Sequence, residues 1–364
     1  MHVVRAFASR PARAVPSAAS LVSLLAAVLV LAPGLARGGW NPLGAGMNDN
    51  VFGLGVYNGR VIAGGFFTQA GDGPASHIAQ WDGTSWTPLG AGTDNYVTCT
   101  TVYNGALIAG GWFTHAGVVA ANHIARWDGT AWSPLGSGTD DYVWALTVYD
   151  GKLIAGGLFR NAGGIAAPRI AAWNGTSWST IGGGMDGQVT ALTVYNGALI
   201  AGGGFNVAGG ASAHHIARWD GLAWTPLGAG MTTGGINALT VFNGSLIAGG
   251  DFSDAGGLPA LHIAQWNGGS WSALGAGVAG RWVNALAVFN AALYAGGDFP
   301  QAGSVPAHDL ARWDGTSWSA AGSGLGGGYY PYVYGLAATP GGLYVGGGFT
   351  IAGGSGARSV ALWQ

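Results

Sequence analysis

The residues of this chain best suited to chemistry are rings and carboxylates that interrupt an otherwise regular pattern. Trp112, Trp144 and Trp282 stand outside the spacing that the other tryptophans obey, and Phe66, Tyr96, Tyr142, Tyr329, Tyr330 and Tyr332 fall in the same stretches of chain. Asp94, Asp140, Asp141, Asp186, Asp251 and Asp298 are interleaved with them. Flat rings beside carboxylates suit a sugar or a peptide, which stacks on the ring and donates hydrogen bonds to the acid. The candidate binding set is therefore Phe66, Tyr96, Trp112, Asp140, Tyr142, Trp144, Asp251, Trp282, Asp298 and Tyr332. Asp251 and Asp298 hold the same position in successive repeats, and two carboxylates within about 5–10 Å of each other could serve a hydrolase or lyase. The plainer alternative is that the aromatics plug a central channel or cover loops.

Other chemistries fit less well. His77, His123, His215 and His262 recur at one repeat position, but the strand they adjoin should lie roughly 10 Å outside the innermost strand. Equivalent histidines on neighbouring repeats then cannot converge on one ion at about 2 Å, so no metal is expected and the histidines read as structural. Cys99 occupies a slot filled elsewhere by Gly or Ala, as an inert packing residue would. The Asp82 to Ser85 and Asp314 to Ser317 segments, Asp-Gly-Thr-Ser, resemble sialidase Asp-boxes but lack the residue between Asp and Gly, and a hairpin turn accounts for them. The sequons at Asn174 and Asn243 sit in Asn-Gly turns of the same kind. There is no phosphate loop and no nucleophile elbow, so neither a catalytic residue nor a cofactor is predicted.

These residues need a framework, and composition indicates its class. Of 364 residues 71 are Gly and 17 Trp, whereas only 13 are Lys or Arg and 15 are acidic. All the acids are Asp and Lys152 is the only lysine, so the charged residues that favour helices are almost absent. Hydrophobic residues reach 49 %, too many for a disordered linker. An all-β chain follows.

Two tryptophan series set the repeat. Trp81, Trp127, Trp173, Trp219, Trp266, Trp313 and Trp363 form one; Trp40, Trp86, Trp132, Trp178, Trp224, Trp271 and Trp318 form the other. Each repeat reads as four short strands, A to D. In the third, Val143 to Tyr149 is followed by the turn Asp150-Gly151, then Leu153 to Gly157, a loop, Arg169 to Trp173, and a strand opened by Trp178. Asn-Gly or Asp-Gly between apolar alternations is a strong hairpin signal, because both residues accept positive φ. Such a unit repeated seven times predicts a seven-bladed β-propeller with four antiparallel strands per blade. The first D-type strand, Trp40 to Leu43, lacks its A, B and C, while the last A, B and C lack a D. Pairing of the two ends would close the ring and remove exposed sheet edges. In such a ring the D–A and B–C loops share one face, where the irregular aromatics and Asp residues collect.

Residues 1–36 read as a signal peptide: Arg5, Arg10 and Arg13 precede an apolar run from about Leu21 to Leu35, and Gly34-Leu35-Ala36 has the form of a cleavage site. Residues 37–364 then form a single propeller domain, with 10 cationic against 15 anionic residues. That balance argues against nucleic acid and anionic membranes as partners. The expected product is secreted, periplasmic or at the cell surface, monomeric, without membrane insertion once the signal is removed, and folded without internal disulfides.

The segment His123-Ile-Ala-Arg-Trp-Asp-Gly-Thr-Ala-Trp132, preceded by Leu107-Ile-Ala-Gly-Gly111, resembles kelch and galactose-oxidase-type repeats. Those repeats also end strand B with Gly-Gly and place an aromatic-Asp pair and a Trp on either side of the C–D turn. The likeness covers Trp40 to Gln364 and is closer still to repeats of the fungal cortical polarity-marker family and of secreted bacterial repeat proteins. The resemblance implies the scaffold and no particular chemistry; the copper ligands and cross-linked Cys-Tyr of galactose oxidase have no counterpart. The leading expectation is a non-enzymatic binding module for carbohydrate or protein on the D–A/B–C face. A glycan-active hydrolase or lyase and a purely structural surface module are the alternatives.

Overall fold

The computed structural model describes residues 39–364; the expected signal peptide, residues 1–36, lies outside them. Among the described residues there are strands and turns but no helix, and hence no helix long and apolar enough to cross a membrane. Seven four-stranded antiparallel sheets account for most of the strands. The third repeat shows the pattern: Val143–Tyr149 (A), Lys152–Gly157 (B), Ile170–Trp173 (C) and Trp178–Thr180 (D), hydrogen-bonded in that order. Strand C starts one residue later than the sequence suggests, because Arg169 lies at φ 67°, outside the extended region. In the first six sheets the A–B links are two-residue turns with positive φ, as at Asn58-Gly59 and Asp150-Gly151, which match the twist of the strands they join; the seventh uses Pro340-Gly341.

One sheet is assembled from both ends of the chain. Trp40–Pro42 pairs antiparallel with Val360–Trp363, in the register Trp40↔Trp363 and Pro42↔Ala361, and supplies the D strand to Val333–Thr339 and Gly342–Gly347. The A strands of successive sheets lie side by side, and Val333–Thr339 lies beside Val51–Tyr57.

Tryptophans join each sheet to the next. Rings of strands C and D pair within a sheet, Trp81 with Trp86 at 5.3 Å and Trp40 with Trp363 at 5.2 Å, contacts worth about 0.5–1.5 kcal/mol beyond their buried area. Each D-strand indole also donates to a carbonyl that follows the D strand of the preceding sheet. Trp86 Nε1 reaches Leu43 O at 2.9 Å, Trp132 reaches Leu89 O at 3.0 Å, and Trp40 reaches Ala321 O at 3.1 Å. Between neighbouring sheets lies a core led by one fully buried Phe per repeat, from Phe67 and Phe113 to Phe349.

The doubled glycine that ends strand B serves this packing. A Cβ on Gly64 would stand 2.6 Å from Val97 Cγ1 of the next sheet, and one on Gly65 would stand 2.1 Å from Asn50 O. The first glycine lets the neighbouring sheet approach; the second lets the chain cross the start of strand A.

Candidate ligand-binding face

Three positions per repeat build this face: the residue before strand A, the second residue within it, and the residue after the Gly-Gly of strand B. The second position is set by a β-bulge. In every sheet the A–B register slips there, between Val51 and Gly53 in the first and between Val333 and Gly335 in the last. The extra residue is unpaired and its side chain is re-aimed. The bulged residues are Phe52, Thr98, Trp144, Thr190, Asn237, Asn284 and Tyr334. With the small residues that follow, including Gly53, Cys99, Ala145 and Ala191, the A strands of all seven sheets line a central cavity of about 280 Å³. Burial pushes the Cys99 thiol up to about 12, so at neutral pH it is protonated and unreactive.

Around this cavity the sheets carry two kinds of contact, and the second and sixth carry both. In the second, fourth and sixth, polar bulge residues bind the next sheet: Thr98 Oγ1 donates to Val143 O at 2.8 Å, Thr190 Oγ1 to Ile236 O, and Asn284 Nδ2 to Val333 O at 3.1 Å. In the fifth, Asn237 Nδ2 donates to Asn284 Oδ1 at 3.3 Å. Aromatic rings supply the second kind of contact. Tyr142 stacks on Trp112 with ring centroids 4.1 Å apart and planes at 2°; Trp112 contacts Tyr96 at 5.4 Å, and Tyr96 contacts Phe66 at 4.3 Å and Phe52 at 6.0 Å. Phe52 meets Tyr334 at 5.4 Å, Tyr334 meets Tyr332 at 6.4 Å, and Tyr332 meets Trp282 at 6.1 Å. One unbroken arc of rings thus runs from the third sheet through the second, first and seventh to the sixth. The rings partly cover one another, yet Phe66 keeps 40 % of its surface exposed and Tyr330, which adjoins Tyr332 at 5.6 Å, keeps 51 %.

Seven predicted residues therefore belong to the face: Phe66, Tyr96, Trp112, Tyr142, Trp282 and Tyr332 within the arc, and Trp144 at a bulge without an aromatic neighbour. The aspartates divide. Asp140 is a loop clamp: its Oδ1 accepts from the amides of Arg160 and Asn161 at 2.8 and 2.9 Å, and its Oδ2 from Asn161 Nδ2 at 2.6 Å. Asp94 holds Thr114 and His115 in the same way, and Asp186 holds Asn206 and Val207. Burial alone would raise the Asp94 and Asp140 carboxyls, but these donors outweigh it and hold both below the ordinary range. They fix the D–A loop to a short ribbon in the B–C loop, such as His115–Ala116 with Val119–Ala120, that sequence reading missed.

Asp251 and Asp298 differ in their surroundings despite their equivalent positions. Asp251 Oδ1 accepts from the Gly235 amide of its own sheet at 2.5 Å. Asp298 pairs with Arg281 Nε at 3.6 Å, and its buried Oδ2 lacks a hydrogen-bond partner, as does Trp282 Nε1 across the strand pair. Near Asp298 stands Asp309, whose carboxyl is pushed up to about 7 by burial; the Phe299 amide opposes the rise and the Asp298 charge adds to it. Asp309 stands where other repeats place His77, His123, Arg169, His215, His262 and Ser359, and all seven residues have positive φ, between 60° and 73°. The substitution of Asp for His at one repeat position was the available signal.

Two of the repeat histidines lie against the rings. His77 lies 6.4 Å from Phe66 in parallel and His123 meets Tyr142 edge-on at 5.5 Å. Burial lowers the pKa of His77, His123, His215 and His262, so they are neutral at pH 7. Among the described residues no group of three or more His, Cys, Asp or Glu side chains is placed to hold a metal.

No protein-family model matches the chain, and no curated protein matches it in sequence. Solved structures do. The extracellular domain of a protein described as a hybrid two-component system of B. thetaiotaomicron is similar over 89 % of this chain, with 11 % identity and a TM-score of 0.56. The chain spans only 39 % of that domain's length. The WD40 β-propeller domain of Doa1 is similar over 90 % of this chain and 97 % of its own, at 12 % identity and a TM-score of 0.55. The computationally designed Ika8 protein matches over 89 % and 99 % of the two chains, at 17 % identity and a TM-score of 0.50. At these identities the likeness is one of fold, and the fold of this chain is that of a β-propeller.

Proposed function

We propose that the chain is an exported, seven-bladed propeller closed by its own ends, acting as a binding module for a carbohydrate or protein partner through its D–A/B–C face. Closure is supported by the pairing of Trp40–Pro42 with the last strand and by the cycle of adjacent A strands. The observation that carries the function is the continuity of the aromatic arc. Residues that depart from the repeat, on five different sheets, touch one another along one rim, as rings shaped by recognition of a partner would. Replacing Trp112, Tyr142 and Trp282 together by Ala is expected to abolish binding to the glycan or surface protein that wild type retains on an array, while the thermal transition stays cooperative. Unchanged binding by the triple variant would defeat the assignment.

A second reading, glycan hydrolysis, is favoured by one observation: Asp309 accepts from the amides on either side of Asp298, Gly297 at its carbonyl and Phe299 at its carboxyl, where burial pushes that carboxyl up to about 7. The acid pair on this reading is Asp298 with Asp309 in place of Asp298 with Asp251. Turnover of a polysaccharide that disappears in both Asp298→Asn and Asp309→Asn would support it.

A further inference from the structure

The D–A connection has one length in the first four sheets, as from Trp86 to Val97 or Trp178 to Val189, and grows by a residue in the fifth and sixth. Between Trp318 and Val333 it is four residues longer. The extra residues carry Tyr329, 87 % exposed, and Tyr330, packed edge to face at 4.6 Å. Where other repeats put Phe66, Trp112, Leu158, Gly204, Asp251 and Asp298, the seventh has Gly348. A Cβ there would stand 2.3 Å from Tyr330 O and 2.6 Å from Asn50 Oδ1, so only glycine lets the long loop lie across this point.

The outcome is a hollow of about 370 Å³ at the seam of the seventh and first sheets, lined by Asn48, Asp49, Asn50, Tyr329, Tyr330 and Arg358 among others. Its size is at the lower end of the roughly 300–1,000 Å³ of small-molecule sites. Asn48 is committed to Thr68 and Gln69. Asp49 Oδ1 accepts from the Asn50 amide at 2.7 Å, and its second oxygen has no partner among the described residues. A smaller hollow of about 250 Å³ shares Met47, Asn48 and Arg358 with it, so a chain-like ligand has room to continue.

Resting on the reading of this face as a binding surface, we infer that the seam hollow is a subsite for a neutral pyranose ring, with Tyr329 and Tyr330 as the stacking platform and the free Asp49 oxygen as acceptor for its hydroxyls. A pyranose combines an apolar C–H face with a rim of hydroxyl donors, matching an aromatic wall beside a carboxylate; Asp49 and Arg358 both line the hollow, so their charges offset and a neutral sugar suits it.

Saturation-transfer NMR on the whole chain with methyl glucopyranoside, mannopyranoside and galactopyranoside tests this. At least one should receive saturation, and Tyr330→Ala and Asp49→Asn should each weaken it about tenfold or more with unchanged melting, while Leu222→Ser on the far turns leaves it intact. No transfer to any of the three sugars, or equal transfer in both variants, would overturn the subsite. The broader reading is judged separately on the Trp112, Tyr142 and Trp282 variant. Loss of array binding there, with the pyranosides silent, would remove the subsite alone.

Discussion

The two ends of the sheets come from the same repeat and have diverged to different degrees. At one end, every A–B link is a two-residue turn and every C–D link keeps one length, as from Trp81 to Trp86 and from Trp313 to Trp318. Asp82, Asp128 and Asp314 each accept from two backbone amides within their own turn, which holds their carboxyls low, Asp128 at about 2. At the other end the B–C loops also keep one length, but the D–A loops lengthen in three sheets and gather the rings. Turns closed by their own hydrogen bonds leave no freedom to change. The four D–A loops clamped at Asn48, Asp94, Asp140 and Asp186 keep one length and change only in composition beyond the clamp, whereas the three that lengthen carry Thr232, Ala279 and Gly326 at that position.

The sharpest way to break this contrast is to damage the scaffold. Deleting Trp40–Pro42 removes a D strand, bares the edge of Val360–Trp363 and takes away the indole donor to Ala321 O. We expect loss of the cooperative thermal transition or strand-exchanged oligomers, visible by calorimetry and size-exclusion chromatography. Trp86→Ala should cost about 3–5 kcal/mol in denaturant unfolding, because its ring is buried and its indole bond to Leu43 is lost. By contrast Trp112→Ala with Tyr142→Ala removes one stacked pair at the rim and should cost only ~1–2 kcal/mol while abolishing partner binding.

Acidity separates the layers further. Asp309 binds its proton more tightly folded than unfolded, so its stabilising contribution is complete below the ordinary 3.8 and is lost as pH rises through about 7. Asp309→Asn should flatten that decline and raise the unfolding free energy at pH 8 by about 1–2 kcal/mol after discounting for solvent access. The four lowered histidines act in the opposite sense: their contribution is present above 6.5 and is lost on acidification through their folded values. Asp82→Ala, in an exposed turn, is the smallest change and should move the midpoint by no more than about a degree.

Much of the framework was legible because it depends on local chemistry repeated at fixed spacing. The Asn-Gly turns, the Gly-Gly crossings and the paired tryptophans each have a physical reason visible within a few residues. What escaped reading depends on partners distant in the chain or on backbone conformation. Asp140 looked like a ligand residue because nothing nearby reveals that its partners are Arg160 and Asn161. The left-handed residue before strand C is hidden because His, Arg, Asp and Ser all fill it. Trp282 and Tyr332 were recognised as exceptions to the repeat, but their contact through successive sheets, and the part played by Gly348 in seating the long loop, emerge only when the ends of the chain meet.

Hydroxyl-radical footprinting with and without the bound partner tests the central claim most directly, since it reads both ends of the sheets at once. The account predicts protection of Tyr96, Trp112, Trp282 and Tyr330, with Leu222, 90 % exposed in a C–D turn, oxidised equally in both states. Protection of Leu222 and its neighbouring turns, with the aromatic arc unchanged, would contradict it.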